Sequence, residues 1–492
     1  MMNPLLELQR LGQSPWHDNI RRELLTSGAL ARMVADGDIT GLTSNPTIFE
    51  QAIESGTDYQ SQLRSLARAG KRPDEIFDAL AISDIRDAAD VFAPVYARTD
   101  GADGFVSIEV NPIYANDTAK TIREAHRLWK TVAKPNVMVK IPATREGVPA
   151  IEACIADGLN INITLIFSLQ RYEQVMDAYL AGLSRRVAAG KPVRSIASVA
   201  SFFVSRVDTE VDKRLDALIA SAPPELVEHL RALQGRAAIA NAKLAYHRFR
   251  EKFGTARFAE LARQGARVQR PLWASTSTKN PAYPDVYYVE ALIGPDTVDT
   301  MPPATIVAYK DHGHPASRLD RDVDDARAIL QRLASAGISM DEVTAKLEVD
   351  GVASFAKSYE SLLATVAQAA SAAAPSVGSA PKRAAKPAAA KRKPKAKRPT
   401  AKRKAAKRPA AKRSAAKRSG AKGRSTAKPR AKSARKSTGR AKSAAKGRAR
   451  PKSRRRAGGA RATTRRAAGR GRATTKKPRR AARKPAKTKR RR

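Results

Sequence analysis

The feature that most constrains this 492-residue chain is an abrupt change of charge near residue 381. Residues 381–492 contain 50 Lys or Arg residues, no Asp or Glu, and no Leu, Ile, Val, Met, Phe, Tyr or Trp. The whole chain has 93 basic and 46 acidic residues, so residues 1–380 hold 43 basic and all 46 acidic ones. The first part is therefore close to neutral, the second is a polycation, and each needs its own explanation.

Residues 381–492 do not have the composition of a folded domain. Ordering one residue costs roughly 1–2 kcal/mol of backbone entropy, which the burial of apolar side chains must offset. With only Ala, Pro and Gly as apolar residues, this segment has little to bury, and its like charges repel one another. A Lys-Arg pair recurs every five residues from Lys397 to Arg418, a period of neither a helix nor a strand. We predict that the segment, here called the basic tail, is disordered.

The most direct partner for such a polycation is a nucleic acid. Each Lys or Arg that neutralises a phosphate releases condensed counterions, which makes binding strong and salt-dependent. The basic tail has no aromatic residues on which bases stack and no folded element for a groove, so we predict sequence-independent binding to DNA or RNA. Two alternatives are a solubilising or inert tail, and an anionic membrane or polyphosphate as partner. The composition resembles the Lys-, Ala- and Pro-rich tails of linker histones and histone-like bacterial nucleoid proteins, without a shared motif.

Residues 1–369 have the alternating pattern of an α/β domain. Short apolar runs typical of strands alternate with longer helical segments such as Asp117–Val132, Leu169–Ala188 and Ser205–Ala220. Eight such strands predict parallel pairing and a (β/α)8 TIM barrel with extra helices. The predicted strands are Ser14–Asn19, Asp38–Asn45, Gly104–Val110, Val137–Ala143, Asn160–Phe167, Ser195–Phe202, Arg270–Thr276 and Thr297–Met301.

Three further features complete the predicted organisation. Residues 370–380, rich in Ala, Ser and Pro, predict a linker between the barrel and the basic tail. The single cysteine, Cys154, cannot form an internal disulfide, which fits a reduced cytoplasmic setting, and we expect it to be a buried small hydrophobic residue. The N-terminus lacks the pattern of a signal peptide and no run of 18 apolar residues occurs, so neither secretion nor a membrane span is indicated.

In a (β/α)8 barrel the chemistry takes place where strands end and loops begin. Lys140 is the most unusual residue at such a position, because it lies inside the apolar run Val137–Pro142 with no acidic neighbour in the strand. Alternation places it on the same face as Met138, which in a barrel strand can be the interior. Other polar residues that end or follow apolar strands are Asp18, Asn45, Glu109, Asn162, Thr164, Ser201 and Ser275.

Lys140 has two interpretations. One is an amine at the end of a strand that reaches solvent or pairs with a carboxylate. The other is an amine whose pKa is lowered by desolvation, so that enough of the neutral form exists to attack a carbonyl and form a Schiff base. Such chemistry also requires a carboxylate for proton transfer, and Glu109 on the preceding strand and Asp18 on the first strand are candidates for that role.

Six motifs around these residues closely resemble the transaldolase family. They occur in the family's order, the resemblance runs from about Leu5 to Gln368, and it is greatest to the longer bacterial branch. It implies a (β/α)8 class I aldolase-type enzyme of the non-oxidative pentose phosphate pathway. The motifs are Gly41-Leu-Thr-Ser-Asn-Pro-Thr-Ile-Phe49, Val106-Ser-Ile-Glu-Val110, Val139-Lys-Ile-Pro-Ala143, Asn160-Ile-Asn-Ile-Thr-Leu-Ile-Phe167, Ser198-Val-Ala-Ser-Phe-Phe-Val-Ser-Arg-Val-Asp208 and Pro271-Leu-Trp-Ala-Ser-Thr276.

The resemblance also implies a reaction. A dihydroxyacetone unit is transferred from sedoheptulose 7-phosphate to glyceraldehyde 3-phosphate, which gives erythrose 4-phosphate and fructose 6-phosphate. Lys140 would form the Schiff base, and Asp18 would be the acid and base at the cleaved bond. Glu109, with Thr164, would hold the water used in forming and hydrolysing the Schiff base. The residues implied to bind the dihydroxyacetone unit are Asn45, Asn162 and Ser201.

The same resemblance assigns the substrate phosphate to the later strands. Arg206 matches the family's phosphate arginine, whose planar fork can bind two phosphate oxygens, and Ser275 matches the phosphate serine. The stretch that follows has two residues more than in the shorter branch and a Lys in place of an Arg, so Lys279 is either a phosphate ligand or a solvated loop lysine. Phe203 stands where relatives that release free dihydroxyacetone carry Tyr, which favours a transferase over a simple aldolase.

Two other functions stay open from the sequence. The chain could be a nucleoid-associated architectural protein whose enzyme body is secondary or inactive, or an enzyme like fructose-6-phosphate aldolase. The presence of every candidate catalytic residue favours an active cytoplasmic transaldolase that the basic tail tethers to DNA or RNA. No nucleotide-binding glycine motif occurs in residues 1–380, and His312 and His314 lack matching ligands for zinc. The implied chemistry needs neither a metal nor an organic cofactor.

Overall fold

The computed structural model describes residues 3–373. Residues 374–492, which include most of the predicted linker and the whole basic tail, lie outside the described residues. Within the described part, eight parallel strands close into a barrel in chain order, which confirms the predicted (β/α)8 architecture. The strands are β1 (Gln13–His17), β2 (Gly41–Leu42), β3 (Val106–Glu109), β4 (Val137–Pro142), β5 (Ile161–Ile166), β6 (Ser198–Phe203), β7 (Arg270–Ala274) and β8 (Thr297–Met301).

Helices follow the strands and surround the barrel. The helix Leu169–Ala188 has the predicted bounds. Between β6 and β7 the chain forms three more helices after the first one, within residues 224–265. A 3-10 helix covers Pro112–Tyr114. The α-helices are α1 (Pro4–Arg10), α2 (Arg22–Thr26), α3 (Ala29–Ala35), α4 (Pro46–Ser55), α5 (Gln60–Arg68), α6 (Pro73–Arg98), α7 (Thr118–Val132), α8 (Gly147–Asp157), α9 (Leu169–Ala188), α10 (Ser205–Ile219), α11 (Pro224–Arg231), α12 (Ala237–Phe253), α13 (Ala256–Arg263), α14 (Tyr287–Ala291), α15 (Pro303–His312), α16 (Val323–Ser335) and α17 (Met340–Ala373).

Strands such as β4 and β5 are largely apolar because helices cover the outside of the barrel and side chains fill its inside. Every residue of β4 and of β5 is buried. The register of the sheet sets the site: Glu109 of β3 lies opposite Lys140 of β4, and Lys140 lies opposite Asn162 of β5. Three polar side chains are thereby placed side by side at one level of the barrel.

Strand β2 is much shorter than the predicted run Asp38–Asn45. At Gly41 the backbone lies close to the ring of Trp16. This approach is possible because glycine has no Cβ, which would lie only 2.5 Å from the ring. Beyond Leu42 the Thr43 amide still donates to the His17 carbonyl over 2.9 Å, and the side chains of the next residues then make further hydrogen bonds. Ser44 Oγ donates to the Ser107 carbonyl over 2.8 Å, and the Asn45 side chain accepts from the Ile48 amide and caps α4. The segment therefore leaves the sheet before it has formed a full strand.

The long helix α17 packs across the carboxyl ends of the strands and against α4. Thr47 Oγ1 donates to Ser358 Oγ over 2.8 Å, and the ring of Tyr359 packs edge-on against that of Phe77. The helix continues to Ala373, so residues 370–373, which the sequence analysis assigned to the linker, are helical. The end of α17 is thus later than the composition predicted.

Two smaller predictions concern the single cysteine and the possibility of a membrane span. Cys154 is fully buried on α8, as expected, and burial raises the pKa of its thiol to about 12. Among residues 3–373, no helix combines the length and the apolar character that crossing a lipid bilayer requires.

Candidate active site

A polar cavity of about 240 Å³ opens at the carboxyl ends of the strands. Its lining residues come from widely separated parts of the chain, among them strands β4, β5 and β6 and helix α17. This is the end of the barrel at which (β/α)8 enzymes carry their chemistry. Predicted site residues that line the cavity are Asp18, Asn45, Lys140, Thr164, Ser201, Phe203, Arg206, Ser275 and Lys279.

Lys140 lies at the base of this cavity with its side chain only 7% exposed. Its Nζ donates a hydrogen bond to the Ser44 carbonyl over 3.3 Å and lies 3.6 Å from Glu109 Oε2. The ring of Phe355, which reaches in from α17, has its centre 5.7 Å from the same nitrogen. The amine therefore has a carboxylate on one side, an apolar ring on another, and the open cavity beyond.

Glu109 lies behind Lys140, outside the lining of the main cavity. Its side chain is 4% exposed, and neither carboxylate oxygen has a hydrogen-bond partner in the described residues. Burial raises the pKa of the carboxyl to about 7, although the neighbouring Lys140 opposes this shift. A second cavity of about 30 Å³ adjoins Glu109 and is large enough for a water molecule. The carboxyl is thus positioned to exchange a proton near neutral pH.

Thr164 and Asp18 lie on other sides of the cavity. Thr164 is fully buried, and its Oγ1 has no hydrogen-bond partner among the described residues, so the hydroxyl is available to a bound molecule. Asp18 follows the end of β1, where its amide donates to the Met301 carbonyl over 2.9 Å. Its Oδ1 accepts a hydrogen bond of 2.7 Å from Thr43 Oγ1, which fixes the orientation of the carboxylate.

A chain of hydrogen bonds holds the amide of Asn162. Its Nδ2 donates to Ser107 Oγ over 3.0 Å, and its Oδ1 accepts from Ser201 Oγ over 2.8 Å. Asn162 is fully buried and is not part of the cavity lining, but Ser201 is. The two serine hydroxyls hold the amide in place, and Ser201 connects this buried chain to the cavity.

The far side of the cavity is cationic. The guanidinium carbon of Arg206 lies 5.4 Å from the centre of the Phe203 ring, and Lys279 Nζ donates to Ser277 Oγ over 2.8 Å. Burial lowers the pKa of both cations, and Asp18 opposes that shift in each case. The positive charge of Arg206 lowers the pKa of Lys279 further. Two neighbouring cations in a partly desolvated corner favour the binding of an anion.

Ser275 completes this corner through an unusual backbone conformation. Its φ of 59° lies in the left-handed region, which costs free energy for a residue with a side chain. Its Oγ is 2.9 Å from Ser205 Oγ at the start of α10. The next residue, Thr276, donates to Asp299 Oδ1 over 2.8 Å and anchors the turn. The turn thus presents a hydroxyl beside Arg206 and Lys279.

The structure adds residues that the sequence analysis did not select. Thr43 and Ser44 lay within a recognised motif, and Ser107 is two positions before Glu109, so their polar character inside apolar strands was a usable signal. Phe355 gave no such signal, because it is one of many apolar residues on a long helix. Among residues 3–373, no group of three or more His, Cys, Asp or Glu side chains is placed to hold a metal ion.

The fold and the site together define a (β/α)8 barrel enzyme whose polar cavity contains a buried lysine beside a carboxylate. Comparison with known proteins is more specific. A family model described as transaldolase/fructose-6-phosphate aldolase matches residues 15–366. The chain belongs to this enzyme family.

Individual relatives agree with the family match. A transaldolase of Thermobifida fusca is 51% identical over 369 residues, which are 75% of this chain and 98% of the relative. A transaldolase of Acidothermus cellulolyticus is 50% identical over 367 residues, or 74% of this chain and 96% of the relative. One from Thiobacillus denitrificans is 45% identical over 365 residues, which are 74% of this chain and the whole of the relative.

Proposed function

We propose that the barrel transfers a dihydroxyacetone unit from sedoheptulose 7-phosphate to glyceraldehyde 3-phosphate through a Schiff base on Lys140. The observation that carries this proposal is the buried amine of Lys140, 3.6 Å from the Glu109 carboxylate at the base of a cavity with a cationic far side. A ketose phosphate has the two groups that this arrangement suits: a carbonyl for the amine and a phosphate for the cations.

The first step is addition of Lys140 to the ketone carbon, followed by loss of water to give the protonated Schiff base. The leaving oxygen needs a proton, and a carboxyl with a pKa near 7 can give and take one at neutral pH. Glu109 and the hydroxyl of Thr164 have no other hydrogen-bond partners in the described residues. We assign to them the water that leaves here and returns when the product is hydrolysed.

The second step breaks the bond between the third and fourth carbons of the ketose. Asp18 takes the proton of the hydroxyl on the fourth carbon, erythrose 4-phosphate leaves, and the electron pair is delocalised into the Schiff base. The hydrogen bond from Thr43 holds the Asp18 carboxylate in place for this transfer. In the reverse sense, the third carbon attacks the aldehyde of glyceraldehyde 3-phosphate, and Asp18 returns its proton to the new hydroxyl.

Between these events the dihydroxyacetone unit must stay on Lys140. We assign its hydroxyls to Asn45, Ser201 and, through Ser201, Asn162, and the substrate phosphate to Arg206, Ser275 and Lys279. Phe203 is 6% exposed and its ring packs 5.2 Å from that of Phe167, so this wall of the cavity offers no proton donor. Retention of the unit until an aldehyde arrives is the property of a transferase. The printed names of the relatives, all transaldolases, support the same choice over a simple aldolase.

The experiment that tests this function is a steady-state assay of the full chain with both sugar phosphates. Lys140→Met keeps the length and apolar character of the side chain but removes the amine, and it should lower turnover at least roughly 1,000-fold, as removal of a covalent nucleophile does. Lys130→Met, at an exposed position of α7, is the matched control and should be fully active. Sedoheptulose 7-phosphate alone should release no free dihydroxyacetone; rapid release would favour an aldolase.

For the basic tail we propose sequence-independent binding to DNA or RNA, which would place the enzyme on the nucleoid or on RNA. The support is its composition alone: 50 Lys or Arg residues and no acidic residue in 381–492. Counterion release predicts that binding weakens steeply with salt and is insensitive to base sequence. A gel-shift series with unrelated duplexes, and with RNA of the same length, at several salt concentrations tests both properties.

A further inference from the structure

A larger cavity, of about 440 Å³, lies at the opposite end of the barrel from the active site, where the strands begin. Its volume is within the range of about 300–1,000 Å³ that is typical of small-molecule sites. The inner part is apolar and is formed by Trp16, Phe105, Met138 and Val199. None of the residues assigned to the transfer reaction lines it.

Arginines surround the entrance of this amino-end cavity. Arg270 extends from the start of β7, where its Nη2 donates to Ser14 Oγ over 2.7 Å and also to the Thr297 carbonyl, and its Nη1 donates to the Ala102 carbonyl over 3.4 Å. All these acceptors are neutral. Within the described part of the chain, no carboxylate forms an ion pair with Arg270, so its charge is not neutralised by direct contact.

Two nearby carboxylates act on Arg270 without contacting it: burial lowers the pKa of the guanidinium, and the charges of Asp103 and Asp296 oppose that shift. Asp103, which lines the same cavity, accepts hydrogen bonds from Ser14 Oγ, from Trp16 Nε1 over 2.8 Å and from the Gly104 amide over 2.9 Å. Asp296 is exposed to solvent. Arg267 adds a second half-buried guanidinium, which contacts Asp100, and Arg98 adds an exposed one on the last turn of α6. Three guanidinium groups and two carboxylates, those of Asp103 and Asp296, thus line the cavity, and among the described residues Arg267 is the one of the three arginines that forms an ion pair.

A buried acceptor gives the second, independent sign of a ligand. Gln13 is fully buried and lines the cavity. Its Nε2 donates to the Leu292 carbonyl over 2.7 Å and to Thr297 Oγ1 over 3.1 Å, which fixes the orientation of the amide. Its Oε1 has no hydrogen-bond partner in the described residues. A buried acceptor without a partner is costly, and a ligand hydroxyl would satisfy it.

We propose that the amino-end cavity binds a small hydroxylated organic anion. Its phosphate or carboxylate contacts Arg270, Arg267 and Arg98, and a hydroxyl donates to Gln13 Oε1. This site is separate from the active site and does not depend on the reaction proposed for Lys140. Binding to the folded barrel stabilises it by RT ln(1 + L/Kd), where L is the free ligand concentration.

The test is a titration of the full chain with glycerol 3-phosphate, glycerate and, as the uncharged probe, glycerol. Trp16 lines the cavity, and comparison with Trp16→Phe separates its fluorescence from that of Trp129 and Trp273; the basic tail contains no aromatic residue. We expect the two anions, but not glycerol, to change the fluorescence. Trp16→Phe should abolish the response, and the relative affinity of the two anions shows which acidic group the site prefers.

Variants separate this site from the active site and from the tail. Arg270→Met should weaken binding about tenfold, as loss of charge-assisted hydrogen bonds does. Arg98→Ala, at an exposed position where folding is not at risk, should weaken it roughly threefold. Inorganic phosphate, which has no glycerol hydroxyl, should bind more weakly than glycerol 3-phosphate to the wild type, and Gln13→Met should remove this difference. Arg64→Ala, an exposed arginine on α5, is the control and should bind as the wild type does.

Two results would overturn the proposal. One is equal affinity in Arg98→Ala, Arg270→Met and the Arg64→Ala control. The other is loss of the signal in Arg206→Ala, which would assign the binding to the active site. If Arg270→Met does not fold, Arg98→Ala and Gln13→Met decide the question, because unchanged binding in both refutes the site.

Discussion

Replacing Glu109 by Gln should stabilise the barrel at alkaline pH while it impairs turnover. The carboxyl is buried, has no hydrogen-bond partner in the described residues, and lies 3.6 Å from Lys140. Burial raises its pKa from an ordinary 4.5 to about 7, so the attraction of Lys140 does not compensate for the lost hydration. Glu109 is therefore a residue whose ionisation the fold opposes, as expected of a group placed for catalysis.

The direction and size of the effect follow from this shift. Because the folded-state pKa is raised, the folded protein binds the proton more tightly than the unfolded chain, and stability falls as the pH rises from about 4.5 to about 7. One pKa unit corresponds to about 1.4 kcal/mol, so the rise from 4.5 to about 7 means that the ionised carboxylate costs the fold roughly 3–4 kcal/mol at most. Gln resembles the protonated acid and avoids this cost. The stabilisation by Glu109→Gln should be small near pH 5 and approach that limit at pH 8.

Urea unfolding followed by tryptophan fluorescence at pH 5 and pH 8 measures the difference. All three Trp residues, Trp16, Trp129 and Trp273, lie in the barrel, so the signal reports the barrel alone. Glu54→Gln, at an exposed position of α4, is the matched control and should show no such dependence on pH. For Glu109→Gln we also expect kcat to fall about 100-fold or more, as on loss of a general acid and base.

The reasoning is refuted if Glu109→Gln is equally stable relative to wild type at both pH values. A variant that is less stable than wild type at pH 8 would also refute it, since that result means that the ion pair with Lys140 outweighs the burial of the carboxylate. Other buried carboxyls, such as Asp299, are unchanged in both proteins and cancel in the comparison.

Three further predictions concern the phosphate corner, the wall of the cavity and the basic tail. Arg206→Ala should raise KM for both sugar phosphates about tenfold or more, with a smaller effect on a substrate that lacks phosphate; equal losses on both would exclude a phosphate contact. Phe203→Tyr should increase the release of free dihydroxyacetone from fructose 6-phosphate, measured with a coupled reductase, because a phenol supplies a proton donor at this wall; an unchanged rate removes the proposed role of the ring. A chain that ends at Ala373 should keep full turnover but lose nucleic-acid binding at about 0.1–0.2 M salt, and equal binding by the shortened chain would contradict a tether.

Much of the barrel was predictable because its strands are local patterns. Apart from Lys140, the predicted strand Val137–Ala143 is apolar on both faces, as a parallel strand covered by helices must be, and β4 ends one residue earlier, at Pro142. The same signal overestimated β2: after one more backbone bond, from the Thr43 amide to the His17 carbonyl, its polar continuation makes hydrogen bonds through the side chains of Thr43, Ser44 and Asn45. The end of α17 was also misjudged, since Ala favours a helix even where Ser and Pro follow.

The candidate site could likewise be predicted from the sequence only in part. Lys140, Glu109 and Asp18 were recognisable because a charged residue at the end of an apolar strand is uncommon and the strand order brings such residues together. Phe355 was not, because its position over the Lys140 amine depends on how α17 crosses the barrel. The sequence likewise contained no sign that Glu109 lies behind Lys140 beside a separate small cavity, which is a consequence of tertiary packing.

The central claim is that Lys140 carries the dihydroxyacetone unit, and covalent trapping tests it most directly. The full chain is incubated with sedoheptulose 7-phosphate, reduced with borohydride, digested and examined by mass spectrometry. We predict one reduced dihydroxyacetone adduct per chain, on the peptide that contains Lys140, and none in Lys140→Met. An adduct on another lysine, or no adduct in an enzyme that turns over both sugar phosphates, would contradict the account.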